Sequence, residues 1–154
     1  MNLIYKEINP EDYAKIIRHF GVWVEKYSCV HLEENAFSMA AFDEEEPIGF
    51  ISTYAKTFPV PLETIGDAYI DVIEVDAAYR RQGVARSLLT ITESWARDQE
   101  FRQIRAWSNR SKLEALAMWL ALDYCICPAT IQPAGCQENE EGFYVAKNLK
   151  AKIF

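Results

Sequence analysis

Apolar positions recur along this chain with two periods, and the switches between them mark out its elements. Residues 3–8, Leu-Ile-Tyr-Lys-Glu-Ile, predict a first strand. Asn9 then stands as an N-cap before Pro10, and Tyr13, Ile16, Ile17 and Phe20 repeat three and four apart, predicting a helix that Gly21 ends or bends. Residues 22–35 are mixed and predict a short second helix with loops. Two alternating runs, 37–42 and 48–54, flank the acidic turn Asp43-Glu-Glu-Glu-Pro47 and predict a hairpin. Residues 56–67 carry Pro59, Pro61 and Gly66 and predict a loop, after which Ala68 to Val75 form a central strand. A helix over about 83–98 sets Val84, Leu88, Ile91 and Trp95 on one stripe, with Arg86, Thr90, Glu93 and Arg97 elsewhere.

Residues 103–108 predict a further strand. Ser111 and Glu114 have the spacing of a capping box that opens a helix to about Leu122. Leu113, Leu116, Met118, Trp119, Leu120 and Leu122 make that helix apolar nearly all round, so deep burial is expected. Tyr124–Ile131 and Phe143–Leu149 predict two last strands around the polar loop 137–142.

Composition narrows the classes. A chain of 154 residues, half of them apolar, fits one packed domain over 1–154. A net charge of −7 argues against a nucleic-acid partner, and no apolar run approaches the roughly 20 residues that cross a bilayer. The first residues lack a signal-peptide pattern. Cys125 and Cys127 lie two apart on one face of a strand and are no C-x-x-C pair, so the four cysteines are expected reduced, in a cytoplasmic protein. His19 and His31 have no ligand at metal spacing, and no metal is expected.

Against this acidic background, residues 80–87 read Arg-Arg-Gln-Gly-Val-Ala-Arg-Ser. Arg80, Arg81 and Arg86 crowd a helix N-terminus, which already carries partial positive charge and unpaired N–H groups. An anion docked at the turn removes the misfit, and Gly83 and Ala85 let it approach the backbone. The turn is not a P-loop, because Gly-Lys-Ser/Thr is missing. It is not a dinucleotide fingerprint either, because only one of three glycines is present.

The segment from Ile73 to Leu89, with Arg80-x-x-Gly83-x-Ala85 at its centre, resembles the acetyl-CoA-binding motif of the GNAT N-acetyltransferase superfamily. The order of strands and helices agrees along essentially the whole chain. The resemblance implies an α+β fold: a mixed, mostly antiparallel sheet of about six to seven strands with about four helices. The central strand and the strand at 103–108 would splay apart at the cofactor site. It further implies that the pantetheine arm of acetyl-CoA pairs with backbone near Ile73 and Val75. The pyrophosphate would rest on the N–H groups of residues 81–86, within the turn Arg80, Arg81, Gln82, Gly83, Val84, Ala85, Arg86 and Ser87. Asn109 matches a position that often contacts the cofactor. Trp119 stands where many members carry a tyrosine that protonates the departing thiolate, and an indole N–H is no practical acid. Tyr124, Tyr144 or a water are open as substitutes.

The expected activity is acetyl transfer to a primary amine by direct attack in a ternary complex. The acceptor is a small molecule or a protein N-terminus, and a homodimer is left open. Candidate bases are Glu74, Asp71 and, through water, Tyr69. In a regular strand Tyr69, Asp71, Ile73 and Val75 share one face, and Glu74 continues the apolar face of Ile70 and Val72. A bulge would swap the faces beyond it. Trp23, Tyr27 and Tyr54 are candidates for an acceptor pocket. The alternative is a non-catalytic acyl-CoA-binding module of the same fold.

Overall fold

The computed structural model describes residues 2–62, 66–133 and 135–150. Seven strands form one sheet: β1 (Ile4–Glu7), β2 (Ala36–Asp43), β3 (Glu46–Thr57), β4 (Gly66–Val75), β5 (Gln103–Asn109), β6 (Cys125–Ile131) and β7 (Glu140–Asn148). Their spatial order is β1-β2-β3-β4-β5-β7-β6. Every neighbouring pair is antiparallel except β4 and β5. This is the mixed, mostly antiparallel sheet expected. The strands at 46–57 and from 66 shorten the loop expected at 56–67, whose residues 63–65 lie outside the described ones.

Helices α1 (Pro10–Phe20) and α2 (Trp23–Lys26) cover one face of the sheet, and α3 (Val84–Asp98) and α4 (Leu113–Ala121) belong to the other. Asn9 caps α1 by accepting the Asp12 N–H at 2.8 Å, and Asp12 reaches back to the Asn9 N–H. Ile16, Val24, Phe42 and Phe50 form the core on that side, while Ile51, Ile70, Leu88, Leu89, Ile104 and Val145 form the core under α3.

Two features of the sheet make the site. The first is a bulge: Ser52 pairs with Val72 and Thr53 with Ile70, leaving Asp71 unopposed. It corrects the face assignment of an unbroken strand. Ile70, Ile73 and Val75 all turn toward α3, whereas Tyr69, Val72 and Glu74 share the α1–α2 face opposite Tyr54, Ser52 and Phe50. The second is a splay: β4 and β5 pair only over Ala68–Ile70 and Ile104–Ala106. Beyond that point β4 stays bonded to β3 and β5 to β7, so the sheet opens between them.

Two expectations fail around α4. The Ser111–Glu114 capping box does not form. Asn109 Oδ1 accepts both the Ser111 N–H and its Oγ–H, at 2.8 and 2.9 Å, and Lys112 takes the N-cap position. The helix it was to open is not deeply buried: only Trp119 is, and Leu113 and Leu120 are exposed. Glu93, off the apolar stripe of α3, is buried as well, with Lys147 Nζ 3.0 Å from its Oε2 and the Tyr124 hydroxyl donating to its Oε1 at 3.0 Å.

Candidate cofactor and acceptor site

The mouth of the splay is built from the end of β4 and the start of α3. The Asp76 N–H donates to the Ile48 carbonyl at 2.9 Å, and residues alternate along an antiparallel ladder. The amide and carbonyl groups of Ile73 and Val75 therefore point away from β3 and into the opening. The Val75 carbonyl accepts from Arg80 Nε at 3.1 Å.

After β4, Asp76 Oδ1 caps a 3-10 turn (Ala77–Tyr79) by accepting the Ala78 N–H at 2.9 Å. Arg81 at φ +62° and Gly83 at φ +84° then reverse the chain into α3. Its chain neighbours aside, no atom of the described residues lies within 4 Å of where a Gly83 Cβ would stand, so the approach is open. The first intrahelical bond runs from the Ser87 N–H to the Gly83 carbonyl, leaving the N–H groups of Val84, Ala85 and Arg86 without a helical acceptor. No acidic residue occupies the first turn of α3, and Arg80, Arg81 and Arg86 are all exposed around it. Every part of this turn suits a phosphate anion.

A cavity of about 450 Å³ opens beside it, lined by His19, Phe20, Trp23, Glu74, Val75, Asp76, Ala77, Arg80 and Lys112. Glu74 lies here, half-exposed, with its Oε1 3.1 Å from Arg80 Nη2. It does not continue a buried apolar face as an unbulged strand would have it. His19 Nε2 meets Asp76 Oδ2 at 2.8 Å, and that contact, after the Ala78 N–H, holds the Asp76 carboxyl below its usual range.

Deeper in, at the vertex of the splay, Asp71 bulges out of β4 one residue beyond the last β4–β5 pair. Its Oδ2 lies 2.7 Å from His31 Nε2, and His31 Nδ1 lies 2.9 Å from Glu33 Oε1. The Asp71 bond, with Glu33 assisting, raises the His31 pKa against the opposing effect of burial. The His31 ring packs on Tyr54 at 4.5 Å between centroids, and Tyr54 on Tyr69 at 5.5 Å. Burial, then Tyr144, Tyr54 and Asp71, push the Tyr69 phenol up to about 12, so it stays protonated at neutral pH. No local pattern marks His31, because its partner, at the bulge, lies 40 positions away in sequence.

A model described as the Acetyltransferase (GNAT) family matches residues 3–124. The chain belongs to the GNAT acetyltransferase family. Solved structures of similar fold include Arabidopsis thaliana NAA60 in complex with a bisubstrate analogue, at 15% identity over 96% of this chain and 98% of that one, TM-score 0.73. The ribosomal-protein-S18-alanine N-acetyltransferase from Escherichia coli matches at 13% identity over 98% and 96%, TM-score 0.70. An aminoglycoside 6'-N-acetyltransferase complexed with coenzyme A matches at 14% over 97% and 98%, TM-score 0.70. No curated protein matches the sequence.

Within this GNAT fold the remaining candidates fall as follows. Trp119 is buried against Tyr124, 4.8 Å between ring centroids, as part of the core under α3. Tyr124 is buried, its hydroxyl donates to Glu93, and burial beside that carboxylate raises its pKa strongly. Tyr144 pairs with Trp107 across β5 and β7 and lies under the Arg105 guanidinium. Asn109 donates to Glu140 at 2.7 Å, tying β5 to the start of β7. Trp23 lines the cavity with its indole N–H on the Phe20 carbonyl at 2.7 Å, and Tyr27 is exposed. Among the described residues no group of three or more His, Cys, Asp or Glu is arranged to hold a metal ion, and no helix is long and apolar enough to cross a membrane.

Proposed function

We propose that this GNAT protein is an N-acetyltransferase that moves an acetyl group from acetyl-CoA to a primary amine by direct attack. The observation that carries the reading is the union of the splay with the open N-terminus of α3. One supplies edge groups at Ile73 and Val75 that β5 does not pair, for the pantetheine amides, the Val75 carbonyl once Arg80 turns from it to phosphate. The other supplies N–H groups at residues 81–86 and three arginines for the pyrophosphate. Gln82 and Ser87 belong to the same turn. Asn109, at the end of β5, and Trp119, buried under α3, complete the proposed cofactor set.

An arm that runs from the turn past Val75 and Ile73 brings its acyl end toward Asp71, about 6.6 Å further along the strand. A strand-edge N–H in this stretch polarises the thioester carbonyl. Asp71 is the carboxylate that meets the incoming ammonium, and Glu74 is a second one, released when Arg80 turns to phosphate. At pH 7 an α-amine must shed a proton against a pKa of about 8, and an alkyl amine against about 10.4. The penalties are roughly 1 and 5 kcal/mol, so a proton acceptor matters most for alkyl amines. A thiolate of pKa about 8.5 leaves without much help, which limits what the missing tyrosine costs to roughly 100-fold.

The family's small-molecule and peptide acceptors both fit an amine-facing carboxylate. The proposed location is the cytoplasm, where the exposed thiols of Cys125, Cys127 and Cys136 stay reduced. One observation favours the second reading, a non-catalytic acyl-CoA-binding module: neither Trp119 nor the committed Tyr124 offers an acid. A thiol-release assay over peptides, polyamines, amino sugars and amino acids separates the two. Amine-dependent release supports transfer, with Asp71→Asn lowering alkyl-amine rates about 100-fold and α-amine rates less. Acetyl-CoA binding with no release for any acceptor favours the module.

A further inference from the structure

The α1–α2 face beside the vertex carries two oppositely charged groups joined by aromatic rings. On one side, Asp71 is held by His31, which Glu33 holds in turn. Both imidazole nitrogens face carboxylates, and among the described residues no protein donor takes Asp71 Oδ1, which leaves that oxygen for a ligand.

On the other side, Lys56 Nζ stands 4.5 Å from the centre of the Tyr69 ring, and the Arg105 guanidinium flanks the same ring at 5.7 Å. No carboxylate among the described residues pairs with Lys56, which is partly buried. Burial and the neighbouring Arg105 lower its pKa. Arg105 Nε lies 3.0 Å from Asp67 Oδ2 but off the line of a hydrogen bond, because Arg102 and Gln103 also claim that carboxylate. Two cations over one ring, only Arg105 of them beside a carboxylate, are a mismatch that a folded chain gains nothing by keeping.

The rings span the gap between these groups. Lys56 touches Tyr69, Tyr69 packs on Tyr54, Tyr54 on His31, and His31 reaches Asp71. Tyr69 and Asp71 are two positions apart on a strand, a separation of about 6.6 Å. We propose that this face selects an acceptor bearing both a primary ammonium and an anionic group. The ammonium sits on Asp71 and the anion on Lys56 and Arg105, with the tyrosine rings beneath the linking carbons. The anion can be the carboxylate of a free amino acid or an acidic side chain near a peptide's amino end. Both carry one primary ammonium and one carboxylate on a single acceptor, closer together in a free amino acid than in the peptide.

This inference rests on the transferase reading, so its test carries a binding arm. In the full chain loaded with CoA, calorimetry compares free aminocarboxylates with their carboxamides, and peptides with Asp or Glu at the second residue with their Asn or Gln counterparts. Acetyl-CoA thiol release is measured on the same pairs. The acidic members are expected to bind, and to show kcat/KM, on the order of tenfold better than the neutral ones. Lys56→Met, which keeps the stem on Tyr69, collapses that ratio toward one through KM, with kcat for the acidic member little changed. The free or peptide series that shows the larger ratio identifies the source of the anion. Charge-selective binding without thiol release supports this inference while overturning the transfer reading. Turnover with neutral members equal to or better than acidic ones overturns the inference and leaves transfer standing, as does a ratio that Lys56→Met does not alter.

Discussion

Replacing Tyr124 with phenylalanine separates structure from chemistry at the residue nearest the missing general acid in sequence. The Tyr124 hydroxyl donates to Glu93 Oε1 at 3.0 Å inside the core, where Lys147 Nζ, 3.0 Å from Oε2, and Arg97 Nη2, at 3.2 Å, also meet the carboxylate. A hydrogen bond to a charged group contributes about 1.5–3 kcal/mol when both partners are buried. Lys147 keeps the carboxylate compensated, and removing one oxygen leaves almost no void, so the loss belongs near the low end, about 2 kcal/mol. In a domain of this size that corresponds to a Tm lower by roughly 4–8 °C. Thermal and urea unfolding measure it, and kcat with the same amine reads the chemistry. Tyr124→Phe is expected to lose stability and keep kcat within about threefold. A kcat loss of about 100-fold or more at unchanged stability would show the phenol acting on the leaving thiolate, and would refute its burial in the α3 joint as a structural contact.

Other consequences follow from the same side-chain placements. Asp67 is fully buried and meets Arg102 at 3.1 Å, Arg105 at 3.0 Å and the Gln103 amide at 2.9 Å, so Asp67→Ala leaves both guanidinium groups without their anion and should cost about 3 kcal/mol in urea unfolding. His31 has a folded pKa raised above its ordinary 6.5 by Asp71 and Glu33. Its contribution to stability is complete below about pH 6.5 and is lost as pH rises through the folded value. His31→Gln should therefore flatten the fall in stability above pH 6.5, and a mutant curve parallel to the parent would reject the pairing. Burial pushes the Cys29 thiol up to about 11, while Cys125, Cys127 and Cys136 are exposed. Titration with a thiol reagent under native conditions should show three fast groups and one slow one.

Much of this molecule could be read from its residues in order. The helical spacing of Tyr13, Ile16, Ile17 and Phe20 behind Asn9-Pro10 predicts α1 to within a residue, because capping and periodicity are local properties. The arginine turn at 80–86 was legible for the same reason: its misfit with a helix N-terminus is written in adjacent positions. What escaped depends on a third dimension. The bulge at Asp71 carries no glycine or proline, so nothing local announces that Glu74 changes faces. Apolar composition made α4 look buried, but Leu113 and Leu120 lie on a side that no other element covers, and burial depends on neighbours as much as on side chains. The capping box failed because Asn109, two residues before Ser111, captured its hydroxyl first. Glu93 with Lys147 and His31 with Asp71 are pairs separated by 54 and 40 positions, beyond any local signal.

The most direct test of the cofactor site is calorimetric titration of the full chain with acetyl-CoA, beside Gly83→Glu. The glutamate puts a carboxylate among the free N–H groups of α3 and forces a side chain at φ +84°. One site of micromolar affinity, weakened by salt and lost in Gly83→Glu while the variant's unfolding curve remains cooperative, is the expected result. No binding by the parent chain, or equal binding by the variant, would contradict the placement of the pyrophosphate at the arginine turn.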